Sequence, residues 1–135
     1  MALETTVEQV DGVTVVALDG ELDGTTYERV IDIVSQAYQG GARTLVLDCS
    51  GLTFVSSSGL VAVHSAMRIM RGDPPPDLEQ GWEALRAIRD EVEAGSMHTS
   101  LRLCGVQEGV QKVLDRTGLG PLLPSYPDRA AAIAA

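Results

Sequence analysis

Thr44-Leu45-Val46-Leu47-Asp48-Cys49-Ser50-Gly51-Leu52-Thr53-Phe54-Val55-Ser56-Ser57-Ser58-Gly59-Leu60 is the stretch whose reading decides the fold of this 135-residue chain. Thr44–Asp48 is a short, nearly continuous apolar run between turn signals, the pattern of a central strand covered on both faces. Ser50-Gly51 reads as a turn. Leu52–Val55 follows as a second apolar stretch, then three serines and Gly59. From Leu60 to Ile69 the apolar residues recur at helical spacing, with Leu60, Val61, Val63, Ala66, Met67 and Met70 on the inner side.

Upstream, Thr5–Val10 and Val13–Leu18 are β-rich stretches separated by Asp11-Gly12, a strong hairpin signal because both positions tolerate positive φ. Gly20-Glu21-Leu22-Asp23 leads into a first helix. Thr25 with Glu28 can form a capping box, and Asp23 is the alternative cap. Val30, Ile31, Ile33, Val34, Ala37 and Tyr38 follow at helical spacing, and Gly40-Gly41 ends the run.

Downstream, Asp73-Pro74-Pro75-Pro76 breaks the second helix, because proline offers no donor and fixes φ. A helix is expected near residues 77–94, with Leu78, Trp82, Leu85, Ile88 and Val92 on one stripe and acidic and basic residues elsewhere. Ser100–Cys104 reads as a strand and Val106–Arg116 as a helix closed by Thr117-Gly118. Leu122-Leu123-Pro124 is expected as a short edge strand, and Asp128–Ala134 as a terminal helix. The order β-β-α-β-α-(α)-β-α-β-α predicts an α/β fold with a mixed sheet of four to five strands, opened by a hairpin.

Composition narrows the function classes. A chain of this length with 44% apolar residues builds its own core, and a single domain over residues 1–135 is expected. The formal charge of −9 argues against a sequence-independent grip on nucleic acid or on anionic membranes. No apolar run approaches the roughly 18 residues that span a bilayer, and the N-terminal residues lack the basic start of a signal peptide. A cytoplasmic protein is expected. Cys49 and Cys104 read as buried thiols rather than a disulfide, and with His64 and His98 they offer no zinc-site spacing, so neither metal nor cofactor is expected.

The serine triplet has to be tested as a nucleophile. A nucleophile elbow needs Gly-x-Ser-x-Gly, yet Val55 stands where the first glycine belongs. His64 lies about 9 Å along the helix axis from Ser58, too far to serve as its base. Phosphate-binding glycine motifs are also missing from the sequence, and no enzymatic activity is expected. A plain N-cap accounts for one serine but not for three followed by glycine. A phosphate there would meet free backbone N–H groups and the positive end of the helix dipole, whereas a partner packed on that spot would have to desolvate a near-dianion.

Three motifs resemble one family. Gly20-Glu21-Leu22-Asp23 with Thr26-x-Glu28, the segment Asp48 to Leu60, and Leu114-Asp115-Arg116-Thr117-Gly118-Leu119 are similar, in order, to segments of STAS-domain anti-sigma factor antagonists. The resemblance implies a STAS-like fold. It also implies a partner that is both an anti-sigma factor and a serine kinase, release by serine phosphorylation, and resetting by a PP2C-type, metal-dependent phosphatase. Carried over by position, the phosphate acceptor is Ser57, with Ser56 and Ser58 as alternatives. The partner-binding surface comprises Glu21, Asp23, Ser56, Ser57, Ser58 and Gly59.

Two departures stand out. Ser56 occupies the place of the aspartate that the family sets before its acceptor. Residues 71–98 form an insertion that compact members lack; its stripe either packs on the chain itself or offers Trp82 and Leu85 to a second subunit or partner, including a homodimer mate. The competing functions are a STAS scaffold without phosphoryl traffic and a small-molecule sensor.

Overall fold

The computed structural model describes residues 3–73, 81–94 and 100–135, with side chains from Leu85 onward in the second stretch. Strands β1 (Leu3–Val10) and β2 (Val13–Leu22) pair antiparallel across Asp11-Gly12. Both turn residues take positive φ, 51° at Asp11 and 79° at Gly12, as the Asp-Gly signal predicts. Helix α1 (Tyr27–Gln39) then leads to β3 (Leu45–Val55), which lies parallel to β2. Helices α2 (Ser57–Arg71) and α3 (Gly81–Ala94) precede β4 (Leu101–Cys104), α4 (Glu108–Thr117), β5 (Ser125–Tyr126) and α5 (Arg129–Ala134). Among the described residues, five strands run in the order β1-β2-β3-β4-β5, with only the first pair antiparallel.

Strand alternation explains why the central strands are apolar on both faces. Val16, Leu18 and Leu22 of β2, with Leu45, Leu47 and Cys49 of β3, point into the main core beneath α1, α2 and α4. Their neighbours Val13, Val15 and Val46, with Cys104, form a smaller core covered by Ala132 and Ile133 of α5. Cys49 and Cys104 therefore sit in different layers, and both are free, buried thiols.

Two expectations about the sheet need correction. Ser50-Gly51 is not a turn: β3 continues through it, and its pairing with β2 slips at Ala17/Asp19 and again at Gly20/Glu21. Asp48 Oδ1 accepts bonds from Ser50 N (3.1 Å) and Ser50 Oγ (2.8 Å), so the Asx turn is built inside a bulged strand. The edge strand is not Leu122–Pro124. Gly120–Leu122 is a 3-10 turn that buries Leu122 and Leu123, and the strand is Ser125–Tyr126, paired with Leu103 and Cys104. The helix expected at 77–94 is found as α3 over Gly81–Ala94; residues 77–80 lie outside the described residues.

Candidate functional site

The ends of β2 and β3 bring the two expected segments together. Ser56 caps α2 in extended backbone geometry, its Oγ accepting from Gly59 N at 3.2 Å and its carbonyl accepting from Leu60 N at 3.0 Å. Ser56 N in turn donates to Leu22 O at 2.9 Å, stitching the helix start to the end of β2. The first helical residue, Ser57, is exposed, while Ser58 is half-buried and lies against Gly24, where a β-carbon would stand 3.7 Å from Ser58 Oγ. The amides of Ser57 and Ser58 belong to the first turn and have no intrahelical acceptor. Gly59 is buried, pressed against Leu22 and Val55.

The facing loop is rigid by its own hydrogen bonds. Asp23 Oδ1 accepts from Thr25 N (2.9 Å) and Thr25 Oγ1 (2.7 Å), and these bonds hold its carboxyl below the ordinary aspartate value, so it is charged at neutral pH. Buried Thr26 accepts from Asp23 N at 3.0 Å and donates to Glu21 O at 2.9 Å. The capping box expected from Thr25 and Glu28 is not the arrangement found. Thr26 is the N-cap residue, without a side-chain cap bond, because its hydroxyl is committed to the loop.

Glu21 sits opposite Phe54 in the parallel register, and the Phe54 side chain is 48% exposed. The sequence placed Phe54 only within the apolar stretch Leu52–Val55. Its exposure follows from the second register slip, which carries no signal in hydrophobic periodicity. Thr53 Oγ1 donates to Gly20 O at 3.0 Å and closes the same corner.

His64 is fully buried and turned toward α3, with Nε2 3.5 Å from Glu91 Oε1, so it does not face the serine turn. Of the expected second interface, Leu85 is exposed, and the Trp82 side chain lies outside the described residues. Ile88 is buried, and Val92 packs so tightly on the end of α4 that a β-carbon at Gly118 would stand 2.6 Å from its Cγ1. Leu60, Leu85, Ile88, Val92 and Thr117 line a shallow groove between α2, α3 and the end of α4. Arg71 fixes α3 by a two-pronged pair with Glu91, 3.0 and 2.7 Å. Among the described residues, no group of three or more His, Cys, Asp or Glu could hold a metal ion, and no helix is long and apolar enough to cross a membrane.

A mixed sheet with a helix start presented beside a hydrogen-bonded acidic loop defines an α/β domain whose candidate site lies at an exposed corner. The STAS domain model matches residues 4–72, from β1 through α2 and so across both loops of the site, and the chain belongs to the STAS domain family. Solved structures agree over nearly the whole chain. An anti-sigma factor antagonist from Mycobacterium paratuberculosis is 21% identical, with 98% of this chain and 92% of that one covered and a TM-score of 0.70. The anti-sigma factor antagonist SpoIIAA in its unphosphorylated form is 26% identical, covering 96% and 93%, at a TM-score of 0.65. Bacillus SpoIIAA in its phosphorylated form is also 26% identical, covering 97% of each chain, at 0.60. A comparison with curated proteins finds no match.

Proposed function

We propose that this chain is a cytoplasmic, single-domain anti-sigma factor antagonist, a binding protein rather than an enzyme. It binds an anti-sigma factor that is also a serine kinase, through Glu21, Asp23 and the Ser56–Gly59 turn. Phosphorylation of Ser57 releases that partner, and a PP2C-type phosphatase restores binding. The observation that carries this reading is the division of labour in the turn: Ser56 Oγ is engaged as the cap, whereas Ser57 is exposed at the first position of the helix. Both forms of SpoIIAA, phosphorylated and unphosphorylated, have folds like this one.

Physically, a phosphate on Ser57 leaves the fold intact because the first-turn amides and the helix dipole accept it. A partner seated there would have to bury that charge near Asp23 and Glu21, and each 1.4 kcal/mol of repulsion weakens binding about tenfold. The test is intact mass of the protein from its native host with peptide mapping of residues 44–68, joined to affinity for the kinase partner. A single phosphate on Ser57, absent in Ser57→Ala, with binding weakened at least about tenfold by Ser57→Asp, is the expected result. An unmodified turn under growth and stress, with binding indifferent to Ser57→Asp, overturns the switch and leaves a static scaffold.

A further inference from the structure

His64 is a buried polar side chain beside α3. It is fully buried on α2, and among the described residues neither ring nitrogen makes a hydrogen bond of ordinary geometry. Among the described residues, the charged groups that face it are Glu91 from α3 and Arg68 and Arg71 from its own helix. Glu91 approaches Nε2 to 3.5 Å, but both of its oxygens are already engaged by Arg71, which also binds Asp73. A proton on the imidazole would therefore add a buried cation whose nearest carboxylate, Glu91, already shares both oxygens with Arg71. The neutral ring is the form that packs, since burial disfavours the charged one.

We propose that His64 makes the docking of α3 acid-sensitive, its protonation releasing α3 from α2. The two states differ in what the imidazole meets. Docked, it is shut off from bulk solvent; burial, with Arg68 and Arg71, outweighs the attraction of Glu91 and holds its pKa below the ordinary histidine value. Released, it reaches water and takes up a proton near the ordinary value of about 6.5. A group whose pKa is lower in the docked state favours docking above the released-state pKa and opposes it below. The ratio of docked to released α3 thus falls by at most about tenfold per pH unit below about pH 6.5, until the docked-state pKa is reached. Release uncovers Leu60, which lies on the same helix as Ser57 and faces Ile88 and Val92 in the groove. The device does not depend on whether Ser57 is phosphorylated.

The experiment uses the full chain, which has one tryptophan, Trp82 in α3, and two histidines, His64 and His98. Amide hydrogen exchange of the Leu85–Ala94 region is followed from pH 8 to pH 5, corrected for intrinsic rates, with Trp82 fluorescence in parallel. Protection of α3 is expected to fall by up to about tenfold per pH unit below about 6.5 while β2 and β3 keep theirs. His98→Gln should retain this response and His64→Met should abolish it. If His64→Met does not fold, the ring signals of His64 in the native chain decide: their titration should coincide with the loss of α3 protection. Protection that is flat across the range overturns the proposal. So does a pH response that survives in His64→Met or vanishes in His98→Gln, or a His64 that titrates at or above the ordinary value with α3 still docked.

Discussion

Gly59→Ala tests the contact on which the serine turn is built. A β-carbon at Gly59 would stand 2.6 Å from Leu22 O, 2.8 Å from Val55 Cγ1 and 3.1 Å from Leu22 Cγ. The first of these is backbone, and the same carbonyl oxygen accepts the bond from Ser56 N at 2.9 Å, so it cannot move without loosening the helix start. Reaching ordinary contact requires a shift of roughly 0.8 Å between α2 and the end of β2, and overpacking of this kind costs about 1–3 kcal/mol. Alanine returns up to about 1 kcal/mol of helix propensity, less in the first turn. The net expectation is a loss of about 1–2 kcal/mol, or roughly 3–6 °C in Tm for a domain of this size. Urea denaturation and thermal unfolding measure it, with Gly109→Ala as the internal control. Gly109 lies in α4 with nothing within 4 Å of its would-be β-carbon, so alanine there should be neutral to stabilising by up to about 1 kcal/mol. A Gly59→Ala protein as stable as the native one would refute the packing described for the turn.

The other predictions separate structural from signalling roles. Ser56→Ala should cost about 1 kcal/mol by removing the cap on Gly59 N, whereas Ser57→Ala, at an exposed position, should stay within about 0.5 kcal/mol in the same denaturation assay. Burial opposes the charge on Asp48, but hydrogen bonds from Ser50 and Arg129 outweigh it and hold the carboxyl below its ordinary value. Its contribution is therefore present above the ordinary aspartate value of about 3.9 and lost as the pH falls through the folded value; Asp48→Asn should flatten that acid limb of a stability-versus-pH curve. Arg129→Ala should cost about 1–2 kcal/mol at neutral pH, screening at the partly exposed guanidinium keeping the loss modest. Arg71→Ala should speed exchange of α3 amides several-fold while leaving β2 and β3 protected, because it removes both bonds to Glu91.

Much of the molecule was legible from local pattern. Asp11-Gly12 demanded positive φ at both positions and received it, and the valines and leucines of β2 and β3 alternated between two cores as continuous apolar strands should. That one serine of the triplet caps a helix was readable, because serine is among the best residues for that position, although which one was not. The order of motifs around Asp48–Leu60 led to the STAS family, which the family model and the solved structures support.

The errors share a cause. Ser50-Gly51 and Leu122–Pro124 carry turn and strand signals whose meaning depends on the neighbouring strand, and Thr25 and Thr26 are equivalent as caps until the Glu21 carbonyl is placed. Sequence by itself determined the fold class, the hairpin and the helix start at the serines, because these follow from periodicity and dihedral preference within a few residues. Only the tertiary structure decided that Phe54 is exposed beside Glu21, that Ser56 Oγ is engaged as the cap while Ser57 is exposed, and that α3 seals His64 against α2. Each of those depends on strand register or on helix docking, contacts between residues far apart in the chain that local propensity does not encode.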